Sequence, residues 1–437
     1  MSLAALRARA RAIFDAGVAA ADPAAAVRRS LEAKPVRAER VIAFGKAAVP
    51  MALAALEHCP DAPALVVTNR ENVGAALPDG ARLLVAGHPV PDEEGEAAAL
   101  AVETFAQAAG EGETVLVLVS GGGSAMLPAP VGGLTLADKV AVTEALLASG
   151  APIDEINTVR QALSRLKGGG LARAIHPART VGLLLSDVPH DDVRAIASGP
   201  TIPERGTGRR ASDALDILKR YVEPRRRPAR AVSVLLNGAP GSDPCLQMPG
   251  VENRLVGGNG VSLDAMAAAV ANDGVVAVVV SRWLDGDVAD AAAAMHRAAT
   301  GAGEGGVALL AGGETTVVLR GGGRGGRNQE MALRFALLAE RQPLGRDYVF
   351  LSGGTDGRDG PTDAAGGLVD TGTPARMRAA GVDPDALLAD NDSHAALAAS
   401  GDLLSTGGTG TNVADLQVLL LGPKRDAGMD GDGPSDA

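Results

Sequence analysis

A glycine-rich loop is the first feature of this 437-residue chain with the composition of a ligand site. The apolar run Val115–Val119 leads into the loop, which consists of Ser120, Gly121, Gly122, Gly123 and Ser124. Backbone N–H groups in such a loop bind phosphate or carboxylate oxygens without a counter-charge, and the serine hydroxyls add donors. The alternative is a tight strand-to-helix turn with no ligand. We predict an anion-binding loop at the end of a strand.

Basic side chains follow two other apolar runs. Lys46 comes directly after one of them, and ligands of α/β proteins bind at the carboxyl ends of strands, where a lysine can contact phosphate. The segment is not a Walker A loop, because Arg40 and Ala47 stand where that motif needs a glycine and a hydroxyl. Arg327 ends the glycine-rich stretch 320–327, whose arginines suit forked contacts to anionic oxygens. A solvated loop is the alternative there.

Two aspartates occupy comparable positions. Asp356 lies in a glycine-rich loop after the run ending at Leu351, and Asp187 follows the run Val181–Leu185. Either carboxylate could hold Mg²⁺, which takes only one or two protein carboxylates, or could accept a hydroxyl proton during phosphoryl transfer. A plain Asp/Gly turn is the alternative.

The glycine stretch also contains the spacing of a dinucleotide-binding fingerprint. Gly321, Gly323 and Gly326 satisfy G-x-G-x-x-G, but a lone match within a glycine run is weak. The confirming acid should close the next strand, whereas Asp347 precedes that strand. Three arginines in the stretch favour an anion site instead.

Apolar runs of four to six residues, most of them followed by alanine-rich helical patterns, must position these loops. The runs are Val41–Phe44, Ala64–Thr68, Arg82–Ala86, Val115–Val119, Val181–Leu185, Val275–Val280, Val307–Ala311, Thr315–Leu319, Tyr348–Leu351 and Leu416–Leu421. Continuous apolar strands alternating with helices indicate parallel sheets buried on both faces. The predicted fold class is α/β.

The composition between the runs indicates the domain organisation. The segment Tyr221–Arg230 contains two prolines and an arginine cluster, which is typical of a linker. We therefore predict an N-terminal domain over 1–230, a C-terminal domain over 231–424 and a polar, flexible tail over 425–437. Residues 2–20 have the pattern of an amphipathic helix in the mature protein.

Composition argues against several classes of function. The net charge of −11 gives no attraction for nucleic acid or anionic lipid, and aromatic residues make up only 2% of the chain. No apolar run approaches the 18 residues of a membrane span. Two cysteines cannot form a disulfide framework, which favours the cytoplasm. We predict small-molecule ligands, no nucleic acid and no membrane partner, and leave a homodimer open.

Ten short sequence motifs, taken in chain order, resemble those of the class II glycerate kinase family, also called glycerate 2-kinase. That family joins an N-terminal glycerate kinase domain to a C-terminal MOFRL domain. In the first half they are Gly45–Ala48, Gly87–Asp92, Ser120–Ser124, Asn157–Arg160 with Leu163–Gly169, Ser186–Val188 and Ala197–Thr201. In the second half they are Gly312–Thr316, Gly325–Glu330, Gly354–Gly357 and Gly408–Asn412. The resemblance spans nearly the whole chain.

The resemblance implies a reaction and a fold. The reaction is ATP- and Mg²⁺-dependent phosphorylation of D-glycerate at the 2-hydroxyl, giving 2-phosphoglycerate and ADP. The fold is two α/β domains, the first a Rossmann-like, largely parallel sheet and the second a smaller mixed sheet containing the MOFRL region, with the site in the cleft between them.

The resemblance also implies site residues. Lys46 and Arg327 correspond to the basic residues that hold phosphate and the glycerate carboxylate, and Asp356 to an acidic site residue. Together with the residue pattern, this makes Asp187 or Asp356 the expected Mg²⁺ ligand or proton acceptor. The residues implied in substrate or phosphate binding are Ser120, Gly121, Gly122, Gly123, Ser124, Asn157, Arg160, Lys167, Ser198, Glu314, Asn328, Thr409 and Asn412. Gly258 stands where the family more often has serine.

The rival interpretation is an oxidoreductase. The G-x-G-x-x-G match and a Rossmann-like first domain would suit NAD(P)H, and members of the resembled family have been labelled hydroxypyruvate reductases. No GxSxG elbow is present, which weakens a hydrolase interpretation.

Overall fold

The protein folds as two compact units, seen here in a computed structural model that describes residues 2–202, 210–237, 248, 250–271 and 275–424. Residues 22–258 form one unit, which we call the parallel-sheet unit. Residues 2–21, together with those described from 259 onwards, form the other, the mixed-sheet unit. The tail predicted over 425–437 lies outside the described residues.

The described residues contain the following elements. The strands are β1 (Arg40–Phe44), β2 (Ala64–Thr68), β3 (Ala81–Val85), β4 (Thr114–Val119), β5 (Arg179–Leu185), β6 (Val251–Gly257), β7 (Val276–Leu284), β8 (Val307–Gly313), β9 (Tyr348–Gly354), β10 (Gly366–Asp370), β11 (Leu403–Leu404) and β12 (Asp415–Leu421). The α-helices are α1 (Leu3–Ala20), α2 (Pro23–Ala33), α3 (Ala48–His58), α4 (Glu93–Gln107), α5 (Gly123–Met126), α6 (Leu136–Ala148), α7 (Ile153–Ala162), α8 (Gly170–Ile175), α9 (Arg210–Tyr221), α10 (Ala229–Leu236), α11 (Asn259–Ala271), α12 (Val288–Thr300), α13 (Arg327–Arg341), α14 (Thr373–Ala379), α15 (Pro384–Ala389) and α16 (Ser393–Ser400). None of the helices in the described ranges is long and apolar enough to cross a membrane.

The parallel-sheet unit is built on six strands in the order β3-β2-β1-β4-β5-β6, and every neighbouring pair is parallel. This is the strand order of a Rossmann fold. Residues 115–119 of β4 are fully buried, as expected for a strand covered on both faces. The α/β class is confirmed. Strand β6 was not predicted because polar residues such as Glu252 and Arg254 interrupt its apolar pattern at the sheet edge.

The mixed-sheet unit is built on six strands in the order β11-β10-β9-β12-β8-β7. Among these described strands only β7 and β8 pair in parallel, and the other neighbours are antiparallel. Helices α12 and α13 contribute to the core on one side of the sheet and α1 and α11 to the core on the other. The parallel arrangement predicted from the apolar runs is therefore wrong for most of this sheet, whereas the mixed sheet that the family resemblance implied is present. Because both faces are buried, antiparallel strands here are as continuously apolar as parallel ones.

One predicted strand is wrong. The run Thr315–Leu319 is irregular except for a single bridge between Thr316 and Asp287. The Thr316 N–H donates to the Gly286 carbonyl at 2.8 Å, and Leu319 is 79% exposed. The run has the composition of a strand, but within the described part of the unit it forms no backbone ladder with a neighbouring strand beyond that one bridge.

The N-terminal helix α1 belongs to the mixed-sheet unit. The Ser2 hydroxyl accepts the Ala5 N–H at its start, and apolar residues at helical spacing, among them Ile13 and Phe14, are buried against α11, β9 and β12. A Cβ on Gly17 would lie 2.8 Å from Met266 Cγ, so α1 approaches α11 closely. The helix predicted over residues 2–20 is present.

The division between the units differs from the predicted boundary after residue 230. Helix α10 packs against α6 and α9, and β6 is the sixth strand of the parallel sheet, so the first unit continues to residue 258. The proline-rich composition at 221–230 marks a turn between two helices of one unit. Sequence composition cannot distinguish such a turn from an interdomain linker, because both are exposed.

Replacing Phe14 with alanine should destabilise the mixed-sheet unit. Phe14 is fully buried, and loss of the ring leaves a cavity beside β9 and β12, so we expect the free energy of unfolding to fall by about 3–5 kcal/mol. Chemical denaturation with amide hydrogen exchange in β9 and β12 would measure it. Ala12→Gln, at an exposed position of the same helix, should change the value by less than about 0.5 kcal/mol. Equal effects of the two variants would contradict the packing of α1.

Candidate functional site

Two ligand-type loops meet at the carboxyl end of the parallel sheet. After β1 the chain continues to β2 on one side, and after β4 it continues to β5 on the other, so the strand order reverses between these neighbours. Ligands of open α/β sheets bind at this switch point. The Gly45–Ala47 segment follows β1 and the Ser120–Ser124 loop follows β4. The structure therefore brings together two of the segments predicted from the sequence.

Hydrogen bonds join the two loops. The buried Ser120 hydroxyl accepts the Ala47 N–H at 3.0 Å, and the Lys46 N–H donates to the Gly121 carbonyl at 2.8 Å. A Cβ on Gly45 would lie 2.3 Å from Ser120 Oγ. Ser120 was predicted as a phosphate donor, but its hydroxyl is buried and accepts the N–H of Ala47, the residue after Lys46.

The three glycines of the loop lie against side chains from other segments. A Cβ on Gly121 would lie 2.2 Å from Asp187 Oδ2, and one on Gly123 would lie 2.8 Å from a carbon of the Phe44 ring. Gly122 has φ +80°, and a Cβ there would lie 2.9 Å from the His88 ring. A side chain at any of these positions would displace one of these neighbours, and the close approach places the Asp187 carboxylate beside the loop.

His88 is a site residue that the sequence reasoning did not select. Burial lowers the pKa of its imidazole, and the nearby Lys46 ammonium lowers it further. The ring is therefore neutral at pH 7 and can accept or donate a hydrogen bond beside Gly122. Its place in the phrase Gly87–Asp92, directly after β3, was the available signal.

A second group of predicted residues lies in the same unit. Ser124 Oγ and Ser198 Oγ are 3.0 Å apart, and the Ser198 hydroxyl donates to Asn157 Oδ1 at 3.1 Å. The ammonium of the buried Lys167 donates to the Ser124 carbonyl at 2.7 Å, and Arg160 Nη1 lies 3.5 Å from Asn157 Oδ1. Ser124, the last residue of the glycine loop, is thus bonded directly to Ser198 and Lys167. Ser198 links it in turn to Asn157, which Arg160 contacts.

The backbone around Ser198 is strained. Ala197 has φ +48° and Ser198 has φ +62°, conformations that cost non-glycine residues about 1–3 kcal/mol each. The Ser198 carbonyl accepts the Gly168 N–H at 2.9 Å and the Gln161 side-chain amide at 3.3 Å. These bonds hold a conformation that presents the Ser198 hydroxyl to Ser124 and Asn157.

Lys139 adds a third cation beside Arg160 and Lys167. The three side chains line one cavity of about 150 Å³, and the buried Lys139 ammonium has no hydrogen-bond partner among the described residues. Burial, together with the charges of Arg160 and Arg165, lowers the Lys139 pKa to about 7. The sequence reasoning missed Lys139, although it shares one helix face with the buried Val142 and Leu146.

In the mixed-sheet unit, Arg327 is engaged by acidic side chains. Its guanidinium donates to both oxygens of Asp415, at 2.5 and 3.0 Å, and lies 3.1 Å from Glu314 Oε1. Burial lowers the Arg327 pKa, but the hydrogen bond and charge of Asp415 outweigh burial, so the pKa is raised overall. Asp415 was missed because an acid heading the apolar run 416–421 resembles an ordinary strand boundary.

A buried carboxylate caps α13. Asp359 accepts the backbone N–H groups of Asn328 at 3.1 Å and Gln329 at 2.8 Å. Asn328 was predicted to bind substrate, but it is 1% exposed and its side chain bonds to Ser352 and Asp359. It is a core residue that supports the start of α13.

The glycine-rich stretch before α13 does not form a dinucleotide-binding turn. The Gly321 N–H donates to Asn391 Oδ1 and the Gly322 N–H to Asp390 Oδ1, both at 3.1 Å. Within the described range 275–424 no strand leads directly into the stretch, and Asp359 caps the helix that follows. A pyrophosphate would compete with the Asn391, Asp390 and Asp359 side-chain oxygens already bonded to these amides, so the G-x-G-x-x-G match has no Rossmann context.

Three other predicted residues shape loops near the carboxyl end of β9. Asp356 Oδ1 accepts the Arg358 N–H at 3.0 Å, and the Thr409 N–H donates to the Asp356 carbonyl at 3.4 Å. Asn412 Oδ1 accepts the Ala414 N–H at 3.2 Å. The Asp356 carboxylate is half-buried and retains a second oxygen for a ligand.

A metal would find few protein ligands in either unit. Within the described ranges no group of three or more His, Cys, Asp or Glu side chains could hold a metal ion. Mg²⁺ usually keeps several waters and binds one or two carboxylates with substrate phosphates, so a single aspartate beside a phosphate loop is sufficient. Asp187 fits that description because it contacts the glycine loop.

Models of two protein families match the chain. A domain of unknown function, DUF4147, matches residues 9–236, and the MOFRL family matches residues 307–415. The first match covers more than half of the chain and the second lies in the mixed-sheet unit. The chain is thus a two-domain α/β protein that combines DUF4147 with MOFRL.

Individual relatives and a solved structure agree with these matches. The D-glycerate 2-kinase of Thermotoga maritima is 39% identical, with 94% of this chain and 97% of the relative covered. The crystal structure of glycerate kinase from the same organism has a TM-score of 0.86 at 36% identity and covers 95% of this chain and 99% of its own. An Agrobacterium vitis protein with a provisional hydroxypyruvate reductase name is 42% identical over 94% of each chain. This chain belongs to the glycerate kinase family.

Replacing Lys139 with methionine should change how stability depends on pH. Between the folded pKa of about 7 and the unfolded value near 10.5, the unfolded state binds a proton that the folded state does not, so wild-type stability rises with pH there. From pH 7 to pH 9 we expect the wild type to gain up to about 2 kcal/mol of unfolding free energy relative to Lys139→Met. Urea unfolding at both pH values would measure it.

Lys219→Met provides the control for this measurement, because Lys219 is half-exposed and pairs only with Asp216 in the described structure. Its difference from the wild type should not change with pH. A pH-independent difference for Lys139→Met as well would show that Lys139 is solvated.

Proposed function

We propose that the protein transfers the γ-phosphoryl group of ATP to the 2-hydroxyl of D-glycerate, giving 2-phosphoglycerate and ADP. One structural observation carries the proposal: the Lys46 segment and the Ser120–Ser124 loop are joined at the switch point of a Rossmann-ordered sheet, beside Asp187. Family membership supports the substrate, because a relative covering nearly the whole chain is named D-glycerate 2-kinase.

The loop would act on the phosphates through position and charge. Phosphoryl transfer needs little covalent chemistry from the protein and depends on alignment and on stabilising the charge of the transferred group. N–H groups of the glycine loop would bind phosphate oxygens, and the Lys46 ammonium would neutralise their charge. Two hydrogen bonds, from the Ala47 N–H to the Ser120 hydroxyl and from the Lys46 N–H to the Gly121 carbonyl, hold the two loops together before a ligand binds, which reduces the reorganisation that binding requires.

The transfer itself requires one proton acceptor. The 2-hydroxyl oxygen forms a bond to the γ-phosphorus, the bond from that phosphorus to the bridging oxygen breaks, and ADP leaves. The hydroxyl proton must pass to a base, and Asp187 and Asp356 are the candidates within their own units. Mg²⁺, held by Asp187 and the phosphates, would supply positive charge against the transferred group. Asp356 is the alternative metal ligand.

Hydroxypyruvate reduction is the second candidate, because the Agrobacterium vitis relative carries that provisional name. The bonded state of the Gly321 and Gly322 amides argues against a dinucleotide at the glycine stretch. NADH oxidation with hydroxypyruvate in the absence of ATP tests it directly. We expect no oxidation above the rate without protein, and a saturable, hydroxypyruvate-dependent rate would favour the reductase.

Phosphorus NMR of the full chain with ATP, Mg²⁺ and D-glycerate should show 2-phosphoglycerate and ADP. The two phosphoglycerate isomers give separate signals, so one spectrum reports both the activity and the position of transfer. A 3-phosphoglycerate signal would refute the proposed regiochemistry. Intact ATP with no phosphoglycerate would refute the kinase proposal.

Lys46→Met should lower kcat/KM by about 100-fold or more, because removal of one preorganised charge from a phosphoryl-transfer site has effects of that size. The assay is ADP formation coupled to D-glycerate. Lys219→Met removes an exposed lysine from the same unit and should leave kcat/KM within two-fold of the wild type. A wild-type rate for Lys46→Met would remove Lys46 from the site.

Gly121→Ala should also reduce kcat/KM, because the new methyl group would collide with Asp187 Oδ2 and displace the loop from its hydrogen bonds. Gly132→Ala is the matched control: it lies in the same unit, and a Cβ there would meet no atom of the described residues within 4 Å. We expect similar melting temperatures for both variants and a loss of about ten-fold or more in kcat/KM only for Gly121→Ala. Similar kinetics for the two would contradict the close-packed loop.

A further inference from the structure

The basic pocket is formed by Lys139, Arg160 and Lys167 around the cavity of about 150 Å³ in the parallel-sheet unit. Lys139 is 9% exposed and Lys167 is 3% exposed, and none of the three cations has an ion pair among the described residues. The one acidic residue that lines the cavity in the described ranges, Glu144, is exposed at its rim. Like charges buried together destabilise a fold unless they lose protons or an anion compensates them, and burial lowers the pKa of both lysines. A bound anion would restore the protonated form.

Hydrogen bonds do not replace that anion. The Lys167 ammonium donates to the Ser124 carbonyl at 2.7 Å, and Arg160 has one long contact, at 3.5 Å, to Asn157 Oδ1. The Lys139 ammonium is buried and has no acceptor in the described structure. A buried donor without an acceptor costs free energy, which a bound anion would recover.

The size and walls of the cavity limit what the anion can be. Ligand pockets for nucleotide- or drug-sized molecules have volumes of about 300–1,000 Å³, so this cavity is too small for a nucleoside triphosphate. Val90, Leu136, Val140 and Leu147 form apolar walls next to the cations. Cations on one side and apolar walls on the other fit a short organic acid better than a polyphosphate.

The pocket adjoins the glycine loop. Ser124 ends that loop and also lines the cavity, and its hydroxyl is 3.0 Å from the Ser198 hydroxyl. An acid held by its carboxylate in the pocket would therefore have its nearest carbon atoms close to Ser124. In a 2-hydroxy acid the hydroxyl is on the carbon next to the carboxylate, so an anchored carboxylate would keep that hydroxyl near the loop.

We propose that Lys139, with Arg160 and Lys167, forms the subsite that binds the carboxylate of a small 2-hydroxy acid. This inference rests on the proposed function, because it identifies which group of the acceptor is anchored and where. It differs from the expectation that Lys46 and Arg327 between them hold phosphate and the carboxylate: Arg327 already donates to Asp415 and lies beside Glu314. Anchoring by the carboxylate selects acids over polyols and favours transfer to the 2-hydroxyl.

The kinetic test compares Lys139→Met with the wild type. Loss of one charge-assisted hydrogen bond should raise the KM for D-glycerate by about 10- to 100-fold and leave the KM for ATP within two-fold. Glyceramide, the uncharged amide of glycerate, should be a much poorer substrate than glycerate for the wild type, and the variant should lose about ten-fold of that preference. A role confined to folding would not separate the two KM values.

A binding test does not depend on turnover. D-glycerate is titrated calorimetrically into the wild type and Lys139→Met at pH 8, without ATP, in two buffers of different ionisation enthalpy. Because the Lys139 pKa is about 7, a bound carboxylate should cause proton uptake by the wild type and less by the variant. The charged groups around Lys139 are Arg160, Arg165, Lys167, Glu96 and Glu144.

Controls and contrary outcomes separate this inference from the proposed function. Lys219→Met should match the wild type in both tests, and Arg160→Gln should repeat the KM pattern should Lys139→Met fail to fold. An unchanged KM for D-glycerate, or a raised KM for ATP alone, would overturn the carboxylate subsite while the kinase activity stands. Absence of any phosphoglycerate from the wild type would refute the proposed function, and calorimetric binding reduced by Lys139→Met would still support the pocket.

Discussion

The close approach of the segments after β1 and β4 is the constraint on which the rest of the parallel-sheet unit depends. Ser120 packs so closely on Gly45 that a Cβ there would lie 2.3 Å from the Ser120 hydroxyl oxygen. A Cβ on Gly121 would lie 2.2 Å from an Asp187 carboxylate oxygen. These contacts require glycine on both loops and leave backbone N–H groups, rather than side chains, at the switch point of the sheet. Fully buried strands keep the loops in register, so the donors are positioned by the core before any ligand arrives.

The two units differ in whether their buried cationic side chains have anionic partners among the described residues. In the mixed-sheet unit, Arg327 is paired with Asp415 and the start of α13 is capped by Asp359, so the cation and the helix amides already have anionic partners. In the parallel-sheet unit, the cations around Lys139 have no such partners in the described structure. Because an uncompensated buried charge is costly, the second arrangement is the one suited to receive an anionic ligand.

Chain connectivity links the units. Helix α1 completes the core against β9 and β12, although the described residues of the next segment, 22–258, fold as the other unit. The mixed-sheet unit therefore cannot form its full core from the C-terminal segment alone. Phe14 and Gly17 show this most directly, because the first fills a site beside the sheet and the second permits contact with Met266.

The sequence by itself determined the α/β class, most of the strands, and the loops of glycine, lysine and aspartate that follow them, because buried strands and ligand loops have local compositions. Tertiary structure alone decided which of those residues face a ligand. Ser120 and Asn328 have side chains that could bind a ligand, but both are buried and bonded within the protein. Lys139 and Asp415 became candidate site residues only because of their contacts and surroundings in the folded chain. Strand direction in the mixed sheet and the placement of α1 were likewise undetermined, since burial on both faces gives parallel and antiparallel strands the same apolar pattern.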